Sequence, residues 1–116
     1  MEPHATIAHW DGEGLTVHTA HQVVHWVRRG LALTLKVPQK NVRVISAYVG
    51  GGFGTKLLFF SDAVLSAAAA RLLGRPVKTA LQRPLIFNNT SHRAATIQRV
   101  RLGADHAGNL SAVGHD

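Results

Sequence analysis

Apolar and polar positions alternate over Ala5–Trp10 (ATIAHW) and again over Leu15–Thr19 (LTVHT). Period-two alternation predicts two half-buried strands. Between them Asp11-Gly-Glu-Gly14 supplies residues that tolerate tight-turn backbone, so the pair reads as a hairpin. Over Gln22–Leu35 the period lengthens. Val23, Val24, Val27, Leu31 and Leu35 mark one face of a helix, with Arg28 and Arg29 off it. Gly30 weakens this helix, and Pro38 stops it. Asn41–Tyr48 alternates again, with Val42, Val44 and Ser46 on one side and Arg43 and Ile45 on the other, and predicts a third strand. Leu57–Leu73, rich in Ala and Leu, predicts the longest helix, which Gly74 ends as a C′ residue with Pro76 beyond it. Pro76–Leu81 is a further predicted strand and Arg83–Ser91 a loop. Ala95–Leu102 and Leu110–Gly114 form a last pair of strands joined by the turn Asp105–Asn109. The resulting order, β-β-α-β-α-β-β-β, predicts an α+β fold in which two main helices cover a mixed sheet.

Composition narrows this picture without redirecting it. The chain has 116 residues, of which 46% are hydrophobic and 16% charged, so one globular domain with one core is expected over residues 1–116. Both ends arrive abruptly, one in a strand and one with no closing element, which reads as a piece of a larger protein. No apolar run is long enough to span a bilayer, since Ser61 and Asp62 interrupt the Leu57–Ala70 stretch. The N-terminal Met-Glu-Pro-His lacks the charge and apolar pattern of a secretory signal, so a cytoplasmic setting is expected, or a periplasmic one through a partner's signal. Cysteine is absent, which removes disulfides, thiolate ligands and a cysteine nucleophile.

Lys and Arg number 13 against 6 acidic residues, a formal charge of +7. Such an excess suits an anionic partner: nucleic acid, a phosphate-bearing cofactor or an acidic subunit. The basic residues are spread from Arg28 to Arg101 with no run, and few aromatics accompany them, so nucleic-acid binding is disfavoured.

The segment Val49-Gly-Gly-Gly-Phe-Gly-Thr-Lys56 stands out as candidate chemistry. A glycine-rich turn opening a helix exposes unpaired N–H groups and a partial positive charge, a device for binding anions or ligand oxygens. It is not a P-loop, because Lys56 follows Thr55 and precedes Leu57. It is not the dinucleotide fingerprint either, because the third glycine would fall at Thr55. A plain tight turn would explain the glycines alone. Phe53 is the residue such a turn does not explain, unless its ring packs on the core or on a ligand. Other candidates are thinner. His21 and His25, four apart, would share a helix face at a spacing that zinc sites use, but no third ligand is evident. Ser61 and Asp62 fit a helix-capping role, and Arg28-Arg29 a solvated helix face.

Gly50-Gly-Gly-Phe-Gly54 followed by Lys56 and an Ala-rich helix resembles the molybdenum-binding subunit of the xanthine dehydrogenase and aldehyde oxidase family. Met1-Glu-Pro-His-Ala-Thr-Ile-Ala8 looks like that family's Met-Glu-Pro segment. Thr19-Ala-His-Gln22 resembles its Thr-Gln element, and Gln22 stands about thirty residues before Phe53, as the family pattern expects. Gly74-Arg-Pro-Val77, Arg83, His92-Arg93 and Leu102-Gly-Ala-Asp105 with Gly108 resemble later landmarks, so the resemblance runs along the whole chain.

The resemblance implies part of a molybdenum hydroxylase, in which water supplies the oxygen inserted at an aldehyde or electron-poor heteroaromatic carbon. It implies a molybdopterin-type molybdenum cofactor, with the cytosine dinucleotide form among those open. The implied partners are the remainder of the molybdenum subunit, iron–sulfur and flavin subunits or domains, and a small-molecule substrate. Gln22 would be the catalytic residue of this chain, hydrogen-bonding an oxygen ligand of the molybdenum with its uncharged amide. Gly51, Gly52, Phe53 and Gly54 would form the cofactor-binding turn. The departures carry information. Leu57 stands where purine-oxidising members have a glutamate, which favours an aldehyde or other apolar substrate. Thr55 stands where a smaller residue is usual, and His21 where a threonine is. The family's catalytic glutamate has no counterpart, since the chain holds only Glu2 and Glu13, so the chain alone is not expected to turn over substrate. The alternative reading is a freestanding basic domain that binds an acidic protein or nucleic acid.

Overall fold

A computed structural model of the chain describes residues 3–116. Met1 and Glu2, the start of the Met-Glu-Pro segment, lie outside the described residues. The elements are β1 (Ala5–Asp11), β2 (Gly14–Thr19), α1 (Val24–Leu35), a 3-10 turn (Gln39–Asn41), β3 (Val42–Ile45), α2 (Ser61–Leu73), β4 (Val77–Ala80), α3 (Arg83–Asn89), β5 (Val100–Ala104) and β6 (Leu110–His115). The first four strands form one mixed sheet in the order β3-β2-β1-β4, with β2 and β3 parallel and β1 antiparallel to both its neighbours. The α+β expectation holds, with two main helices and a short third one where the sequence pattern predicts a loop.

The alternation read along β1 and β2 is the alternation of burial. Thr6 and Ala8 on β1, and Leu15 and Val17 on β2, face the helices and are buried, while Ile7, His9 and His18 are exposed. From α1 the buried residues are Val27, Leu31 and Ala32. Val24, expected on the same face, is 40% exposed because it lies in the first turn. The buried face of α2 is made of small residues, Ala63, Ser66, Ala67 and Ala70, with Asp62. Small side chains let the helix sit close on β1, and Trp10 seals its flank by donating its indole N–H to the Ala67 carbonyl at 2.8 Å. Gly74 caps α2 in the left-handed conformation, at φ 62°, as its place in the sequence predicts. Gly30 has a positive reason to be glycine. A Cβ there would overlap the Phe59 ring, which lies against α1.

Under the N-terminal half of α2 the core turns polar. Thr19, Thr6 and Thr79 stand side by side across β2, β1 and β4. Thr6 Oγ1 lies 2.9 Å from Thr19 Oγ1 and donates to Asp62 Oδ2 at 2.7 Å, and Ser66 Oγ donates to Thr79 Oγ1 at 2.7 Å. Asp62 therefore does not cap its helix. The N-cap position is Phe60, without a side-chain cap, and the Asp62 carboxylate is 4% exposed in the core.

The C-terminal part is set apart. β5 and β6 form their own two-stranded sheet, turned by Asp105, whose Oδ1 accepts the Ala107 and Asn109 N–H groups at 2.9 Å. The chain extends 71 Å along its long axis with a radius of gyration of 20.3 Å, against about 13 Å for a compact chain of this length. Ile97, Val100, Leu102, Leu110 and Val113 are all exposed on this arm.

Candidate functional site

The glycine segment does not open a helix. α2 begins at Ser61, and residues 46–60 are a long connection out of β3, so the helix-terminus charge expected behind the glycines is not adjacent to them. The expected helix start at Leu57 fails because Leu57 and Leu58 continue this connection and Phe59 turns back onto Gly30 of α1.

What the glycines do is bring side chains onto the loop backbone. The Gln22 side chain lies against Gly52 where a Cβ would otherwise be, and Gln22 Oε1 accepts the Gly54 N–H at 3.1 Å. Because the loop contributes an N–H, the amide atom facing it is the oxygen, and the Gln22 NH2 is turned elsewhere. Phe53 takes φ 50°, a left-handed backbone unusual for a bulky residue. Its ring is 74% exposed and lies over Gly51. The core-packing explanation for Phe53 is thereby removed. Gly50 and Gly54 on either side also have positive φ, 61° and 82°. Arg93 donates to the Phe53 carbonyl at 2.8 Å and so fixes the loop from the far end of the chain.

Gln22 is held by its backbone as well. Its N–H donates to the Lys56 carbonyl at 2.9 Å. One residue earlier, His21 exchanges two bonds with Ser46, whose hydroxyl donates to the His21 carbonyl and accepts the His21 N–H, both at 3.0 Å. His21 Nδ1 accepts the Val23 N–H at 3.1 Å. The imidazole thus takes the N–H two residues on, as a short polar side chain does in a turn, and shapes the chain on either side of Gln22. Lys56 is fully buried and donates through Nζ to the Val49 carbonyl.

Behind the loop lies a buried pair of imidazoles. His4 and His21 are each 6% exposed, and the Nε2 atom of each has no hydrogen-bond partner among the described residues. Burial holds both below the ordinary imidazole value. Lys56 pushes His4 the same way, and Asp62 opposes the shift at both. Both rings are therefore neutral near pH 7.

Gln22, Gly51, Gly52, Phe53 and Gly54 thus form one surface. His21 and His25 do not share a helix face. His21 precedes α1 and is buried, while His25 is exposed on it. Among the described residues no group of three or more histidine, aspartate or glutamate side chains is placed to hold a metal. Arg28 braces the end of α1, its Nε donating to the Gln39 carbonyl at 3.0 Å. The chain's pattern gave no sign of the Arg93 contact. Burial of Lys56 had one faint signal, a lone charge closing an otherwise uncharged segment. No described helix is long and apolar enough to cross a membrane.

A family model described as a molybdopterin cofactor-binding domain matches residues 1–116. The chain is 57% identical, over its full length, to the aldehyde oxidoreductase molybdenum-binding subunit PaoC of Escherichia coli K12, and spans 16% of that protein. It is 33% identical over 106 residues to a xanthine dehydrogenase molybdenum-binding subunit of E. coli O157:H7, covering 91% of this chain and 14% of the relative. Among solved structures it is similar to CO dehydrogenase from Oligotropha carboxidovorans, with a TM-score of 0.76 and 28% identity over 98% of this chain and 14% of that one. Quinoline 2-oxidoreductase from Pseudomonas putida 86 matches with a TM-score of 0.73 and 30% identity over 99% of this chain and 15% of that one.

Proposed function

The chain belongs to the molybdopterin cofactor-binding domain family, as part of a molybdenum-binding subunit of the aldehyde oxidoreductase and xanthine dehydrogenase type, and on that footing we propose that it forms one wall of the cofactor site of a molybdenum hydroxylase. Gln22, Gly51, Gly52, Phe53 and Gly54 are the proposed wall. When bound, the cofactor supplies the redox chemistry by which water-derived oxygen is inserted into an aldehyde or heteroaromatic carbon.

The observation that carries this reading is the state of Gln22. Its Oε1 is committed to the Gly54 N–H, and among the described residues its NH2 has no acceptor. An exposed side chain is thus fixed in orientation with an uncharged donor left over, which suits an oxygen-bearing group that must be recognised without adding charge. The loop fits such a group. Gly51, Gly52 and Gly54 keep the surface free of side-chain bulk, and Phe53 stands exposed at its rim in a backbone conformation that folding alone disfavours. Leu57, half-buried beside this surface, adds no charge and favours an aldehyde or another apolar substrate over a purine. The remainder of the subunit would supply the catalytic acid–base group and the second cofactor contact, and iron–sulfur and flavin partners would carry electrons away. The apolar residues of the β5–β6 arm would be covered by that remainder.

The test is to express the whole subunit that carries this chain with its partners and cofactor machinery, and to measure molybdenum and pterin content with aldehyde turnover. Gln22→Ala is expected to leave the subunit folded and cut turnover, and Phe53→Ala to reduce cofactor retention. Unchanged cofactor content and turnover in both variants would count decisively against the reading.

A further inference from the structure

Lys56 is the largest of the fully buried side chains. Burying an ammonium is costly unless it is paired, and a methionine of similar length would fill the same volume without that cost. Volume therefore does not explain a lysine. What lysine adds is a donor, and Nζ gives it to the carbonyl of Val49. Val49 and Lys56 stand at the two ends of the glycine run, so this single bond closes the run into a ring. Inside the ring the Thr55 N–H donates to the Gly52 carbonyl at 3.0 Å, and the Leu57 N–H to Gly54 at 3.3 Å. The same residue's carbonyl receives the Gln22 N–H at 2.9 Å. Lys56 thus grips the loop with its side chain and Gln22 with its backbone. Between these two grips lies the contact of Gln22 Oε1 with the Gly54 N–H.

We propose that Lys56 is a positioning residue, a buried clasp that closes the loop Val49–Lys56 and thereby sets the direction in which the Gln22 amide points. The proposal rests on the cofactor-wall reading for its consequence, though not for its geometry. A loop of four glycines has the greatest conformational freedom a chain can have. Untied, it would hold Gly54 in register with Gln22 only part of the time. Orientation of Gln22 would then fail while apolar contacts to substrate persisted.

The experiment uses the assembled holoenzyme containing this chain, with Lys56→Met, which removes the donor at similar length, and Lys56→Arg, which retains it. Amide hydrogen exchange is read across residues 22 and 50–57, and kcat and KM are read with benzaldehyde and a redox dye. In Lys56→Met, exchange in these segments is expected to rise at least about tenfold with α1 and α2 unchanged, as loss of the charge-assisted bond to Val49 implies. The same variant should lose kcat by a similar factor at unchanged KM, and Lys56→Arg should recover most of both. Unchanged exchange, a rise spread equally over the helices, or no recovery by arginine would overturn the clasp. If Lys56→Met does not fold, Lys56→Gln, which keeps a polar group but reaches less far toward the Val49 carbonyl, is read instead, and a rise in exchange confined to residues 22 and 50–57 is again expected. Gln22→Ala runs alongside. If it leaves cofactor content and turnover untouched, the cofactor-wall reading fails by itself, while exchange confined to the loop still reports the clasp.

Discussion

Replacing Gly52 with alanine sets two effects of opposite sign against each other. The backbone of Gly52 does not lie in the left-handed region, so alanine is conformationally allowed. By stiffening the unfolded chain it would stabilise the fold by about 0.4–1 kcal/mol. The new Cβ, however, would fall on the Gln22 side chain, including Cγ, which cannot move without the whole side chain moving. Forcing a methyl group into an occupied position costs about 1–3 kcal/mol. Driving Gln22 away also breaks its bond to the Gly54 N–H, a further loss of about 0.5–1.5 kcal/mol. The losses win, and the net destabilisation is about 2 kcal/mol, or roughly 8 °C in Tm for a chain of this size. The decisive assay is a double-mutant cycle followed by thermal unfolding. In a Gln22→Ala background the collision partner is gone, so adding Gly52→Ala is expected to be neutral or slightly stabilising. An equal penalty in both backgrounds would refute the claim that Gly52 exists to make room for Gln22.

Gly30→Ala should destabilise by thermal unfolding, because the gain of about 1 kcal/mol in helix propensity is outweighed by about 1–3 kcal/mol of overlap with the Phe59 ring. Phe59→Leu should relieve that penalty. Asp62→Ala should cost about 1.5–3 kcal/mol, the value of a hydrogen bond to a charged group, by leaving the buried Thr6 hydroxyl without its carboxylate. Stability should also fall on acidification. His4 and His21 are held below the ordinary imidazole value, so the unfolded chain takes up protons first. The loss therefore begins as pH falls through about 6.5, the unfolded value, and stops growing below the folded values. Urea midpoints between pH 8 and 5 measure this, and His4→Leu should flatten the slope.

The elements that were legible in the sequence are those whose burial follows a single period. β1 and β2 alternate because one face meets the helices and the other does not, and Gly74 announces the end of α2 because only glycine suits φ 62° without strain. The misread elements are those where tertiary contact overrides local pattern. The apolar run from Leu57 looks like a helix, but its first residues serve as a connection and Phe59 is drawn onto Gly30. Arg83–Asn89 becomes α3 although its polar end reads as a loop, because Pro84 occupies the first turn, where its missing N–H costs nothing. Asp62 reads as a cap by position but is drawn inward by Thr6, a partner 56 residues away that no local pattern could name.

The candidate site shows the same division. The glycine run and Gln22 are visible as residues, but the cause of their meeting is topological. β2 and β3 are parallel, with His18 paired to Ile45, so both strands release their chains at the same end of the sheet. The segment leaving β2 carries His21 and Gln22, and the segment leaving β3 carries Ser46 and the glycines. Antiparallel pairing would send them to opposite ends. Ser46 then locks His21, Lys56 receives the Gln22 N–H, and Gly54 meets the amide. The spacing between Gln22 and Phe53 is therefore the length of α1 and β3 plus their turns, the chain needed to leave one parallel strand and return beside it. A change in that length would move the glycine loop away from Gln22 even with every site residue intact.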